Sequence, residues 1–303
     1  MSTLERLNQC PVCSSTLLTG FLNVKDYSVT EEIFTIDTCK SCGFKFTNPR
    51  PDINNIGRYY QSTEYISHHD EAQNLLSRVY NMVRNYTTGE KIKLLKSHTE
   101  KTNPSILDIG CGTGYFLKRC KEQNWSTMGT EPDNDARQVA INRTGSVIFE
   151  SIENNTLQKE KFDLITMWHV LEHVHKLNET IEWLYNHLNS NGTLIIAVPN
   201  NHSYDAKQFG KQWAAYDVPR HLYHFTKESM QQLLGLHQFE IKEIYPMWFD
   251  AFYVSMLSNQ YKNGSKNILN SAITGLISNW KGKKTANAEF NTSSLIYVVK
   301  KIN

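Results

Sequence analysis

The chain has 303 residues, 40% of them apolar and 20% charged, with a formal charge of +2. That is enough for one large domain, or a main domain with a smaller companion, around a sizeable core. Acids and bases are interspersed, which argues against a general polyanion binder, and no window approaches the roughly 18 apolar residues that cross a bilayer.

The N-terminal run MSTLERLNQC holds no apolar segment of signal type, so a cytoplasmic chain without a membrane partner is expected. Cys10 and Cys13, then Cys39 and Cys42, form two CxxC pairs, the second followed by Gly43. A CxxC turn aims two thiolates at one point, and two such turns complete a closed four-sulfur zinc site with no open position for chemistry. Between the pairs, FLNVKDYSV and EEIFTIDTC read as short strands. A zinc-ribbon-like domain over residues 1–50, held by structural zinc, is the expectation, with reduced core cysteines as the alternative.

Residues 46–60, FTNPRPDINNIGRYY, read as a linker, and 51–100 as linker and helical cap. Ala72, Leu75, Leu76, Val79, Met82, Val83 and Tyr86 recur at three- and four-residue steps, marking an apolar helix face packed on the main domain. Gly89 is expected to break that helix, leaving Ile92, Leu94 and Leu95 in a second one. Pro104 opens an alternation of strands (105–109, 127–130, 147–149, 164–168, 193–198) and helices (115–123, 133–143, 179–188). Such an order implies a parallel sheet covered on both faces, in a domain over 101–303. A helix over 227–236, a strand over 240–244, a helical insertion over about 250–280 and a strand over 294–300 complete it. The basic run WKGKK at 280–284 reads as a solvated loop.

ILDIGCGTG at 106–114 is a strand ending in a GxGxG turn, and a helix begins beyond it. No GK[ST] follows, which excludes a P-loop. A dinucleotide fingerprint would need its third glycine where Tyr115 stands. Glu131, ending the next strand, is placed to grip ribose hydroxyls. Ribose recognition is supported and pyrophosphate recognition is not.

Together with GTEPD at 129–133, this stretch resembles the first two motifs of class I S-adenosylmethionine-dependent methyltransferases. FDLITMWHVLEHV at 162–174, LNSNGTLIIAVPN at 188–200 and WAAYDVPRHLYHFT at 213–226 are similar to later motifs of that family. The cysteine-bearing N-terminus resembles the zinc-binding head of a bacterial group, some of whose members methylate deoxysugars. The resemblance implies a seven-stranded Rossmann-like α/β sheet, mostly parallel with an antiparallel last strand. It implies methyl transfer from S-adenosylmethionine to a small-molecule acceptor, a sugar type among the options, leaving S-adenosylhomocysteine. Asp108, Gly110, Cys111, Gly112 and Gly114 would wrap the methionine end, and Glu131 would take the ribose diol. Glu150 or Ser151 would meet the adenine. Trp168 and His169 would line the pocket near the sulfonium, where an aromatic face gains about 0.5–2 kcal/mol.

Methyl transfer to a hydroxyl or an acidic carbon also needs a general base, and histidine suits neutral pH. HVLEHVH supplies His169, Glu172, His173 and His175, and PRHLYH supplies Arg220, His221, Tyr223 and His224. His173 and His221 are the expected bases. His169 and His173 share a face if that segment is helical. Ubiquinone-pathway O-methyltransferases carry a similar Glu-His pair, in some linked to a divalent cation. A zinc protease is excluded, because Val170 stands where its glutamate would follow the first histidine. Two alternatives stay open: an NAD-dependent oxidoreductase, and a zinc-ribbon nucleic-acid module with a cofactor-sensing sheet.

Overall fold

The structure, a computed structural model, describes residues 4–61, 75–264, 268–283 and 290–302. The chain partitions into two compact units. One takes the described residues of Met1–His68, His169–Ile181 and Ala197–Tyr297, and the other those of His69–Trp168, Glu182–Ile196 and Val298–Asn303.

In the first unit, β1 (Leu4–Glu5), β2 (Leu18–Lys25), β3 (Ile33–Cys39), β4 (Lys45–Thr47) and β5 (Arg50–Pro51) lie in the N-terminal part. The run read as a linker is therefore structured. Thr47, Asn48, Arg50 and Tyr59 within it are buried, because their polar atoms all find partners. The four-stranded sheet runs β11-β4-β3-β2, where β11 is Tyr223–His224 from the PRHLYH segment. Tyr223 stands opposite Phe46 and His224 opposite Lys45. The sheet that carries Cys39 at the end of β3 thus continues into a segment almost two hundred residues onward. Phe44, Phe46, Tyr223 and Phe225 stack over this joint.

The second unit holds β6 (Ser105–Ile109), β7 (Ser126–Thr130), β8 (Val147–Phe149) and β9 (Phe162–Trp168). Pairs β6/β7, β6/β9 and β7/β8 are parallel. Ile106, Leu107, Leu164 and Ile165 are fully buried, as strands covered on both faces require. With β10 (Leu188–Pro199), β12 (Phe239–Pro246) and β13 (Ser294–Lys301), the sheet has seven strands in the order β12-β13-β10-β9-β6-β7-β8. It is mostly parallel with antiparallel last strands.

The helices are α1 (Leu75–Lys96), α2 (Tyr115–Lys121), α3 (Asn134–Thr144), α4 (Leu177–His187), α5 (Tyr204–Phe209), α6 (Lys227–Leu236), α7 (Asp250–Asn263) and α8 (Ile268–Lys281). Asp133 caps α3 by accepting from the Ala136 N–H at 2.8 Å, and Gly145 ends it with φ of 61°. Gly89 does not break α1. One interior glycine costs only about 1 kcal/mol, and Ile92 and Leu95, 7% and 0% exposed, hold the helix on. Met82 and Tyr86 of the sequence stripe point outward instead of packing. Ala72 and the side chains of Leu75, Leu76 and Val79 lie outside the described residues. Trp280 and Lys281 belong to α8, so WKGKK is not wholly a loop; its Lys284 is outside the described residues. Among the described residues, no helix is long and apolar enough to cross a membrane.

Candidate active site

The first cluster lies in the second unit, where β6 ends. Gly110, Gly112 and Gly114 all take positive φ, at 69°, 54° and 80°, a region open to glycine at little cost. A Cβ on Gly114 would meet the Ala140 backbone at 3.0 Å, so the turn closes directly on α3. The Cys111 N–H donates to the Thr130 carbonyl at 2.9 Å, stitching the turn to the end of β7. Cys111 and Cys120 are inert: burial pushes both thiols far above their ordinary pKa.

Glu131 binds this turn from the neighbouring strand. One carboxylate oxygen accepts from the Gly112 N–H at 2.8 Å, the other from the Asp133 N–H at 3.0 Å. Each oxygen retains a lone pair able to accept from a hydroxyl. Asp108, 2% exposed, accepts from the Thr166 hydroxyl at 2.6 Å. Burial pushes its pKa up to about 7 against the pull of that hydroxyl and of the Lys91 charge. Burial also raises Glu131 above the usual carboxylate range. Two carboxylates in a low-dielectric turn suit a ligand that brings positive charge.

Tyr115 fills the position where a dinucleotide fingerprint has glycine. The guanidinium carbons of Arg84 and Arg143 lie 3.4 and 3.6 Å from its ring centroid, which only opposite faces allow. Glu150 and Ser151 stand exposed just beyond β8, whose last carbonyl, on Phe149, accepts from the Glu131 N–H at 2.9 Å.

Trp168 ends β9 with its ring edge-on to Phe116, and its Nε1–H has no hydrogen-bond partner among the described residues. Sequence reasoning missed Lys91, whose Nζ lies 4.0 Å from the Trp168 ring centroid. The signal was available: Lys91 falls four residues before the fully buried Leu95, on the same side of α1.

The second cluster lies in the first unit. The HVLEHVH segment is not an α-helix: only Leu171–His173 turns, as a short 3-10 helix, and His169 takes a left-handed φ of 57°. His169 and His173 therefore do not share a helical face. His169 stands between two acids, with Nδ1 at 3.2 Å from Glu172 Oε1 and Nε2 at 2.8 Å from Asp250 Oδ2; the latter is an ion pair without hydrogen-bond alignment. Burial opposes its charge, but the two carboxylates prevail and raise its pKa to about 10. It is a fixed imidazolium and not a base.

Glu172 is fully buried. Burial opposes its ionisation, yet the His169 charge holds it below the usual carboxylate range, and its Oε2 has no hydrogen-bond partner among the described residues. His173 Nδ1 lies 3.1 Å from the Arg220 carbonyl and 2.9 Å from the Tyr60 hydroxyl; His221 Nδ1 lies 2.9 Å from the Ala215 carbonyl. A carbonyl can only accept, so both rings carry a proton on Nδ1 and the neutral form of each has its lone pair on Nε2; His221 Nε2 lies 4.0 Å from Asp217 Oδ2. The two rings meet edge to face at 4.7 Å. Burial and the facing His221 push the His173 pKa down to about 4. One ligand atom from each of Glu172, His173 and His221 lies within 4.8 Å of the others, so this trio could hold a divalent cation.

The PRHLYH segment is pinned by Arg220, 2% exposed. It donates to Asp26 at 2.8 Å, to Asp217 at 2.7 and 3.0 Å, and to the Tyr59 carbonyl at 2.8 Å. Asp26 sits after β2, and Thr47 of β4 donates to the His221 carbonyl at 2.8 Å. Removing Arg220 strands a buried Asp26 carboxylate. Arg220→Met is expected to cost about 3–5 kcal/mol of stability, read by chemical denaturation; a loss below 1 kcal/mol would show Asp26 rehydrated.

The four N-terminal cysteines converge in the same unit. Cys10 and Cys42 sulfurs are 3.6 Å apart and Cys13 and Cys39 3.5 Å, with all four within 4.8 Å. A tetrahedral zinc with 2.3 Å bonds has sulfur–sulfur edges of about 3.8 Å. This donor set fits that ion.

A methyltransferase-domain family model matches residues 83–244. An uncharacterized methyltransferase of Anoxybacillus flavithermus is 27% identical over 160 residues, covering 49% of this chain and 75% of the relative. A ubiquinone biosynthesis O-methyltransferase of Rickettsia typhi is 28% identical over 208 residues, covering 62% and 81%. Among solved structures, magnesium protoporphyrin IX methyltransferase from Synechocystis, with bound S-adenosylhomocysteine, has a TM-score of 0.50 at 15% identity. That likeness covers 64% of this chain and 92% of the other, and it concerns the fold. With the family matched over more than half its length, the oxidoreductase alternative falls away: the chain belongs to the methyltransferase-domain family and is a class I S-adenosylmethionine-dependent methyltransferase.

Proposed function

We propose that the protein methylates a small-molecule acceptor whose hydroxyl or acidic carbon is deprotonated by His221, and that structural zinc on Cys10, Cys13, Cys39 and Cys42 holds the strands that position this base. What supports the reading is a pair of imidazoles, each with Nδ1 turned to a backbone carbonyl, gathered within 4.8 Å of buried Glu172. S-adenosylmethionine, when bound, supplies a methyl group on a sulfonium, which a nucleophile displaces in line. The glycine turn, Asp108 and Glu131 would hold its methionine and ribose, Glu150 or Ser151 its adenine, and Trp168 would border the sulfur.

His221 is assigned the base role because burial and the facing His221 ring push the His173 pKa down to about 4, so that His173 accepts protons weakly at neutral pH. His221 takes the acceptor's proton on Nε2 while the Ala215 carbonyl fixes its tautomer. His173 and ionised Glu172 shape the polar wall beside it. His169 is a positioning residue: its charge keeps Glu172 ionised.

A second reading is favoured by the unpartnered Glu172 Oε2. Glu172, His173 and His221 would hold a divalent cation, with each Nδ1–H donating to a backbone carbonyl as metal-binding histidines commonly do. The test is tritium transfer from labelled S-adenosylmethionine into a small-molecule fraction. His221→Ala should lower transfer about 10²–10⁴-fold at unchanged cofactor affinity and without sensitivity to a chelator. Loss of transfer in chelator, restored by manganese, would favour the cation reading. Wild-type transfer by His221→Ala would defeat both.

A further inference from the structure

The helix α8 is built inside out. Its face toward the protein is small: Gly275 packs so closely that a Cβ there would meet Phe252 at 2.8–3.0 Å, and fully buried Ser278 donates to Asp205 at 2.9 Å. Its outward face is large and apolar. Ile273, Leu276, Ile277 and Trp280 are 48%, 59%, 37% and 73% exposed, and the spacing i, i+3, i+4, i+7 makes them one stripe. Rotating the helix to hide the stripe would drive side chains into Phe252 and unpair Asp205, which is buried and also bonded to Trp213 and Ser293. The exposure is therefore fixed by packing.

The charge beside the stripe selects its occupant. The segment ILNSAITGLISNWK contains no acid, and Lys281 and exposed Lys283 follow Trp280 at its end. The Lys281 ammonium rests 4.1 Å from the Tyr204 ring centroid. An apolar stripe closed by a tryptophan and lysines matches the boundary of a bilayer, where indole sits at headgroup level and lysines meet anionic lipid. A second copy would bring the same stripe with no carboxylate on α8 to meet either lysine. This surface also absorbs the WKGKK run, for which the methyltransfer reading has no use.

We propose that the outward face of α8 docks the protein on an anionic membrane surface, in the interfacial plane and without spanning it. This modifies the expectation of no membrane partner, which rested on the lack of a spanning segment. The test is flotation of the full chain with vesicles of phosphatidylcholine alone or with 30% phosphatidylglycerol. Binding should be at least tenfold stronger on the anionic vesicles, and Leu276→Glu should reduce it at least tenfold with an unchanged thermal midpoint. Replacing Lys281 and Lys283 together with glutamine should erase the preference for anionic lipid, a readout that holds even if Leu276→Glu folds poorly. Failure of the wild type to bind, or equal binding by Leu276→Glu, overturns the proposal. A dimer in sedimentation that Leu276→Glu dissociates, without vesicle binding, overturns it in favour of a second copy.

Discussion

Replacing Glu131 with alanine should weaken S-adenosylmethionine binding about 100-fold, measured by calorimetry. The Glu131 carboxylate already ties the Gly112 and Asp133 N–H groups, and each oxygen keeps a lone pair for a ribose hydroxyl. Charge-assisted hydrogen bonds contribute about 1.5–3 kcal/mol each. Losing two of them, less what water returns, comes to about 3 kcal/mol, or two decades of affinity. Glutamine keeps one acceptor oxygen and should lose about half as much. The variant also leaves the Gly112 N–H without its acceptor, so the turn should loosen even before ligand arrives. An affinity within threefold of wild type would mean the diol is held elsewhere.

Stripping the zinc, or replacing Cys39 with serine, should abolish methyl transfer while leaving cofactor binding within about threefold. Structural zinc supplies about 10–16 kcal/mol of folding energy in small peptides, more than such short strands gain by packing alone. In this chain the strands beside the cysteines do more than fold themselves. β4 pairs with β11, Thr47 holds the His221 carbonyl, and Asp26 holds Arg220, whose carbonyl meets His173. Loss of the head should therefore release both histidines. Glu131, Gly112 and Asp108 hang on β6 and β7, which pair with each other and with β9. Transfer that survives in a sample shown by metal analysis to be zinc-free would separate the head from the chemistry.

What could be read in advance was whatever depends on nearby residues. The strands at 105–109 and 147–149 and the helix at 227–236 follow from local period, caps and turn glycines, and they appear at those bounds. The carboxylate of Glu131 was legible because its partner turn is a motif of fixed spacing. Contacts between distant segments were not. Arg220 and Asp26 are 194 residues apart, and a strand of two residues such as β11 has no periodicity to detect. The HVLEHVH segment left its conformation open, because apolar residues at helical steps permit a helix without requiring one, and His169 turns left-handed beside both Glu172 and Asp250. Gly89 misled, since tertiary burial of Ile92 and Leu95 outweighs one glycine.

The most direct test is electron density for S-adenosylhomocysteine bound to the zinc-loaded protein. The account predicts the nucleoside at the Gly110–Gly114 turn, with both ribose hydroxyls about 2.5–3.0 Å from the Glu131 carboxylate. A nucleoside lodged anywhere else, or a Glu131 side chain pointing away from its sugar, would contradict it.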